Sequence, residues 1–103
     1  MMKEIPGGPS VELREYLFNL ILYRQSHAIP DFIKRYPDCA NWPLHSNMTP
    51  LMDAVTQDYS EIVKMFLEAG ARVGDRTDVN QMTAMYFCGR APKCIDLLLE
   101  YGA

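Results

Sequence analysis

The sequence predicts an all-helical fold built from pairs of antiparallel helices, and two observations support this. First, residues 49–71 read as one helix–turn–helix unit with an apolar stripe on each helix. Second, parts of the same pattern return at a spacing of about 34 residues on both sides of this unit. Together they indicate a row of similar helix pairs.

Within the central unit, each helix has start and stop signals. The Thr49 hydroxyl is suited to cap the first helix, and Pro50 is suited to its first position, where no N–H is needed. We expect Ser60 to cap the second helix and Gly70 to end it in the left-handed conformation. The two stripes consist of Leu51, Ala54 and Val55 on the first helix and Ile62, Val63, Phe66 and Leu67 on the second.

A unit of this size cannot bury both stripes against itself, so it needs neighbours. Residues 83–85 echo its opening, and residues 99–103 echo its close. Toward the N-terminus the stripe positions align without a gap, on Leu17, Leu20, Ile21, Ile29, Phe32 and Ile33. This first unit lacks the Thr-Pro opening, and we interpret it as an atypical terminal repeat.

The sequence Thr49-Pro50-Leu51-Met52-Asp53-Ala54 resembles the T-P-L-H-x-A motif that opens ankyrin repeats. Residues 67–71 likewise resemble the close of such a repeat, and the spacing is similar to the family period of about 33 residues. The resemblance covers roughly residues 17–103. It implies an ankyrin-like α-solenoid of antiparallel helix pairs, joined by β-turn fingers with little or no sheet, that binds other proteins.

On this basis we expect a flexible tail at residues 1–10 and an ankyrin-like repeat domain at residues 11–103. The domain divides into an atypical repeat at 11–46, a central repeat at 47–80 and a shortened repeat at 81–103. Helices are expected at residues 11–25, 29–36, 50–57, 61–69, 84–88 and 92–100. Residues 38–48 and 72–82 are the two fingers between repeats.

Composition limits the classes of function. The chain of 103 residues has a net charge of −3 and no large basic cluster, which argues against nucleic-acid binding. Its longest apolar run is too short to span a membrane, and no signal peptide is visible. Three irregularly spaced cysteines favour a reducing, intracellular location, in the cytoplasm or, as an alternative, the nucleus.

No pattern predicts a metal site, a cofactor or a catalytic residue. The cysteines and histidines lack the spacings of zinc ligands, and Cys88 and Cys94 map onto buried positions of the stack. Exposure of Cys39, which lies in a finger, stays open. We expect the carboxylates of Asp53 and Asp58 to lie on or near a solvent face.

Aromatic residues suggest where a partner binds. Trp42 lies in a finger, where it either folds back onto the stack or anchors an interface. Phe87 occupies the position equivalent to Asp53, which we expect to point outward, whereas Tyr86 is expected to pack between units. The predicted partner-binding residues on the concave face are Trp42, His45, Met52, Asp53, Gln57, Arg76, Asp78 and Phe87.

Two hypotheses of function follow. The favoured one is a non-catalytic module that binds a partner protein through the concave face of the stack. The alternative is a structural fragment of a larger ankyrin-repeat or multidomain protein that docks or presents a downstream domain. The alternative rests on Ile95, Leu98 and Leu99, an apolar stripe on the last helix that is also expected to promote self-association.

Overall fold

Five α-helices and three short 3-10 helices make up the part of the fold that the structure describes. The structure, a computed structural model, describes residues 5–89 and 91–102; residues 1–4 of the predicted tail, Arg90 and Ala103 lie outside it. The α-helices are α1 (Val11–Leu22), α2 (Ile29–Arg35), α3 (Pro50–Thr56), α4 (Ser60–Glu68) and α5 (Pro92–Glu100). The 3-10 helices are Cys39–Asn41, His45–Asn47 and Ala84–Cys88. Within the described ranges there is no strand, and the predicted all-helical class is confirmed.

The helix starts follow the capping chemistry in two cases and depart from it in one. Ser10 Oγ accepts a hydrogen bond from the N–H of Leu13, and Thr49 Oγ1 accepts one from the N–H of Met52. The predicted cap at Ser60 is wrong, because Ser60 is itself the first residue of α4. Instead of a side chain, the backbone carbonyl of Tyr59 accepts hydrogen bonds from the N–H groups of Ile62 and Val63.

The same turn closes the first two helix pairs. Arg24 and Asp58, which are 34 residues apart, both have a left-handed backbone, with φ of 55° and 53°. In each turn the next residue donates its backbone N–H to a carbonyl of the preceding helix. Gln25 donates to the carbonyl of Leu20, and Tyr59 donates to the carbonyl of Ala54. This turn explains why α1 ends at Leu22, three residues before its predicted end.

The predicted helix at residues 84–88 forms as a 3-10 helix. Thr83 makes no capping hydrogen bond with its side chain, unlike Thr49 at the equivalent position. The segment is also only five residues long, and the backbone turns to a positive φ of 55° at Gly89. A segment this short gains too few hydrogen bonds to offset the cost of starting an α-helix.

The elements pack in two layers. The first members of the pairs, α1, α3 and Ala84–Cys88, lie side by side, while α4 packs against α5 in the second layer. The core between the layers contains the predicted stripe residues Leu51, Phe66 and Leu98, all fully buried. The fingers project from the end of this stack at which α3 begins.

Candidate functional site

The two fingers are shaped by turns that end at equivalent methionines. In the first finger the N–H of Leu44 donates to the carbonyl of Met48, and in the second the N–H of Thr77 donates to the carbonyl of Met82. The buried Thr77 side chain closes the second finger further, since its hydroxyl donates to Val79 O and accepts from the N–H of Met82. Both fingers therefore have defined conformations.

Trp42 folds back onto the stack. Its side chain is only 5% exposed, and its ring contacts the rings of Phe32 and Tyr36 at centroid distances of 5.7 and 5.6 Å. Trp42 therefore packs on the stack and does not anchor an interface, because α2 provides an aromatic surface beside the first finger. Cys39 is buried in the same finger, so it is not exposed either.

Asp53 is buried beside the half-buried His45, which corrects the expectation that Asp53 faces solvent. Asp53 is 7% exposed, and its Oδ1 lies 3.6 Å from Nε2 of His45, which is too far for a hydrogen bond. The ring of Phe18 covers His45 edge-on at 4.8 Å between centroids. Burial raises the pKa of Asp53 from 3.8 to about 7 and lowers the pKa of His45.

The remaining predicted residues fall into three groups. Met52 is fully buried, so its side chain offers no contact surface to a partner. Gln57 lies at the opposite end of α3 from the fingers, where its Nε2 donates to the carbonyl of Ile21. Arg76 and Asp78 are exposed on the second finger, and Phe87 is half-buried on the 3-10 helix at Ala84–Cys88.

Tyr86 is the exposed aromatic residue that the sequence interpretation placed in the interior. Its side chain is 68% exposed and meets the ring of Phe87 edge to face at 5.4 Å. The reason is the 3-10 conformation of its segment, which rotates side chains differently from an α-helix. The missing Pro after Thr83 was the available signal that this segment differs from α3.

A groove runs along the fingers and is formed by two cavities that share Arg76. One cavity, of about 280 Å³, lies between the fingers, and the second, of about 530 Å³, lies between the second finger and the 3-10 helix at Ala84–Cys88. We call the two together the finger groove. Its lining residues are Asn41, Pro43, Asn47, Thr49, Arg72, Asp75 and Arg76 in the first cavity and Arg76, Asn80, Gln81, Met82, Thr83 and Tyr86 in the second.

A family model for the ankyrin repeat matches residues 46–79 of the chain. This segment is therefore similar to an ankyrin repeat. The match begins in the first finger, covers α3 and α4 and ends in the second finger, and it confirms the family resemblance seen in the sequence. No match to the chain was found among curated protein sequences.

The ankyrin repeat gives a coarse functional assignment. Ankyrin repeats serve in general as protein–protein interaction modules and are generally not catalytic. Five of the eight predicted partner-binding residues lie inside the matched segment, namely Met52, Asp53, Gln57, Arg76 and Asp78. In addition, none of the helices that the structure describes has the length and apolar character required to cross a membrane.

Asparagine side chains hold the two fingers together. Asn41 donates from Nδ2 to the carbonyl of Gly70 at 3.1 Å and accepts from the N–H of Arg72 at 2.8 Å. Asn47 adds a longer bond to the carbonyl of Arg76, at 3.4 Å. These contacts join the first finger to the second and set the wall of the finger groove.

The surroundings of the cysteine side chains indicate a structural rather than a reactive role. All three are free and buried, and burial raises the pKa of Cys39 to about 12 and that of Cys94 to about 11. The Cys94 thiol lies 3.6 Å from Oδ1 of Asp58, at the turn between α3 and α4. Thiols with such pKa values are protonated at neutral pH and therefore poor nucleophiles.

Among the described residues, no three His, Cys, Asp or Glu side chains are grouped as metal ligands.

Proposed function

We propose that this protein is a non-catalytic interaction module that binds a partner protein through the concave side of the stack, at the finger groove and the adjoining aromatic residues. The observation that carries the proposal is the exposure of Tyr86 at the edge of this groove. A tyrosine side chain offers a large, rigid contact area together with a hydroxyl group, and such residues often dominate binding energy at interfaces.

The surface proposed for the partner differs from the sequence prediction in five residues, of which four are left out and one is added. Trp42, Met52 and Asp53 are left out because their side chains are buried, and Gln57 is left out because it bonds to α1. Arg76, Asp78 and Phe87 remain, and Tyr86 is added. His45, the remaining predicted residue, is half-buried in the first finger beside Asp53 and lines neither cavity of the groove.

The pair formed by the buried Asp53 and the half-buried His45 does not favour an enzyme. An acid–base pair acts on a substrate only if the substrate can reach it. Neither residue lines either cavity of the finger groove, and Asp53 is almost fully covered. We further propose an intracellular location, in the cytoplasm or nucleus, which the three free thiols support because such thiols persist under reducing conditions.

The test is to compare two tyrosines of equal exposure. Tyr23 follows α1 and is 68% exposed, the same fraction as Tyr86. Tagged full-length chains carrying Tyr86→Ala or Tyr23→Ala would be cross-linked in extract from the native cells, and the captured proteins quantified against wild type. We expect at least one partner protein to be captured by the Tyr23→Ala chain as by the wild type but not by the Tyr86→Ala chain. Identical capture by both variants would contradict the proposed surface.

A second candidate function is the structural role in a larger repeat array, and a specific observation favours it. Leu99 on α5 is 56% exposed, and Tyr101 beside it is also exposed. In a repeat stack an apolar outer face is normally covered by another repeat or by a partner. This candidate places the contact on α5, whereas the first places it on the finger groove, so substitutions on the two surfaces separate them.

A further inference from the structure

The finger groove has a charge pattern that restricts what it can bind. Arg72 donates from Nε to both carboxylate oxygens of Asp75, at 3.1 and 3.0 Å, so this arginine is already neutralised within the wall of the groove. In the part of the chain that the structure describes, Arg76 has no carboxylate within ion-pair distance. Of the two acidic residues that flank Arg76 in the sequence, Asp75 lines the first cavity but is paired with Arg72, and Asp78 lines neither cavity.

Arg76 occupies the junction of the two cavities. Its side chain lines both of them, whereas each other lining residue belongs to one. On one side lie the amides of Asn41 and Asn47, which are occupied in holding the fingers together. On the other side lie Met82 and the exposed ring of Tyr86. The groove therefore places a positive charge beside an amphipathic surface.

We propose that the finger groove binds an extended segment of a partner protein in which an Asp or Glu side chain lies next to an apolar side chain. The planar guanidinium of Arg76 would receive the carboxylate, since arginine can donate two parallel hydrogen bonds to such a group. The apolar side chain would pack on Tyr86 and Met82. The inference rests on the proposed function and specifies its partner chemistry.

The net charge of the chain does not oppose this assignment strongly. A net charge of −3 gives only a weak long-range repulsion of an acidic segment, and salt at physiological concentration screens it beyond about 8 Å. Recognition would depend on the short-range contact with Arg76, which lies within the groove. For the same reason we expect the acidic side chain to determine affinity more than the rate of encounter.

The experiment selects short peptides from a random display library on the immobilised full chain and then measures the affinity of the enriched peptides. We expect enriched peptides to contain Asp or Glu beside an apolar residue. Replacing that carboxylate by its amide, Glu→Gln or Asp→Asn, should weaken binding by about tenfold, the size expected for a charge-assisted hydrogen bond. Arg76→Gln should weaken the acidic peptide equally and leave the amide peptide unchanged.

Arg35→Gln is the matched control, because Arg35 lies on α2 and lines neither cavity of the groove. It removes the same charge and should change affinity less than twofold, as expected for a remote surface charge. Thermal unfolding would verify that both variants fold. Enriched peptides without a carboxylate, or with affinities independent of Arg76, would overturn the inference; the proposed function would survive if Tyr86→Ala still weakened them. Absence of any binder, or binders indifferent to both residues, would overturn both.

Discussion

At the residue scale, the least expected feature is the carboxyl group of Asp53. The sequence predicts that this position faces solvent, yet Asp53 is buried beside His45 of the first finger. Burial disfavours the charged carboxylate, and the only ionisable partner within ion-pair distance among the described residues, His45, is too far for a direct hydrogen bond. Proton binding at Asp53 is therefore coupled to folding.

We predict that the stability of the protein falls as pH rises from about 4 to about 7. The pKa of Asp53 is raised from 3.8 to about 7 in the folded state, so the folded state holds the proton more tightly than the unfolded state. The stabilisation is complete below the unfolded value and is lost above the folded one. A shift of this size corresponds to about 4 kcal/mol.

Urea unfolding of the wild type and Asp53→Asn at pH 5 and pH 8 tests this. The variant should be more stable than the wild type at pH 8, because it removes the buried charge, and the difference should shrink at pH 5. The lowered pKa of His45 acts in the opposite direction at low pH, but it affects both proteins. Asp78→Asn, at an exposed position, is the control and should leave the pH dependence unchanged.

Trp42 gives a second prediction at this scale. Trp42→Ala should destabilise the protein by about 3–5 kcal/mol, because it removes a large buried ring that packs against Phe32 and Tyr36. Tyr23→Ala, which truncates an exposed aromatic ring, should change the free energy of unfolding by less than about 0.5 kcal/mol. Equal stability of the two variants in chemical denaturation would contradict the assignment of Trp42 to the core.

The sequence and the structure agree where local spacing decides the result. The caps at Ser10 and Thr49 and the buried stripes depend on residues three or four positions apart, and these were predictable. Burial of Trp42 depends on aromatic residues of another element, and burial of Asp53 depends on the first finger lying over α3. No local pattern carries such information, so half of the predicted binding surface could not be placed from the sequence.

At the scale of elements, α4 and α5 should differ in local stability. Both have nine residues and a well-defined apolar stripe, but Leu99 of α5 is exposed, whereas the equivalent Leu67 of α4 is buried. Local opening costs less free energy where fewer apolar groups are buried. The difference between the two helices therefore comes from their neighbours rather than from their intrinsic helix-forming tendency.

We predict that the amides of α5 exchange with deuterium faster than those of α4.

If another molecule covers α5 instead, sedimentation should reveal association that rises with concentration and that Leu99→Gln abolishes. Glu100→Gln, a neighbouring exposed substitution that keeps the apolar surface, is the control. A monomer at all concentrations whose two helices are equally protected would remove the support for the structural-fragment hypothesis.

At the scale of the whole molecule, polar contacts connect the helix pairs at both ends of the stack. Opposite the fingers, Arg24 lies over the ring of Tyr59 at 4.5 Å, and its Nη2 donates to the carbonyl of Gln57 at 2.6 Å. Gln57 and Tyr59 in turn donate to the carbonyls of Ile21 and Arg24. The first pair is thus joined to the second through its loops as well as its core, which favours unfolding of the two pairs as one cooperative unit.

The asparagine contact at the finger end has a kinetic consequence. Because Asn41 holds both the carbonyl of Gly70 and the N–H of Arg72, the first cavity keeps its shape before a ligand arrives. A bound segment would then lose its own conformational freedom, while the fingers would lose little. Association would proceed in a single step at a rate governed by encounter, without a slow rearrangement of the loops.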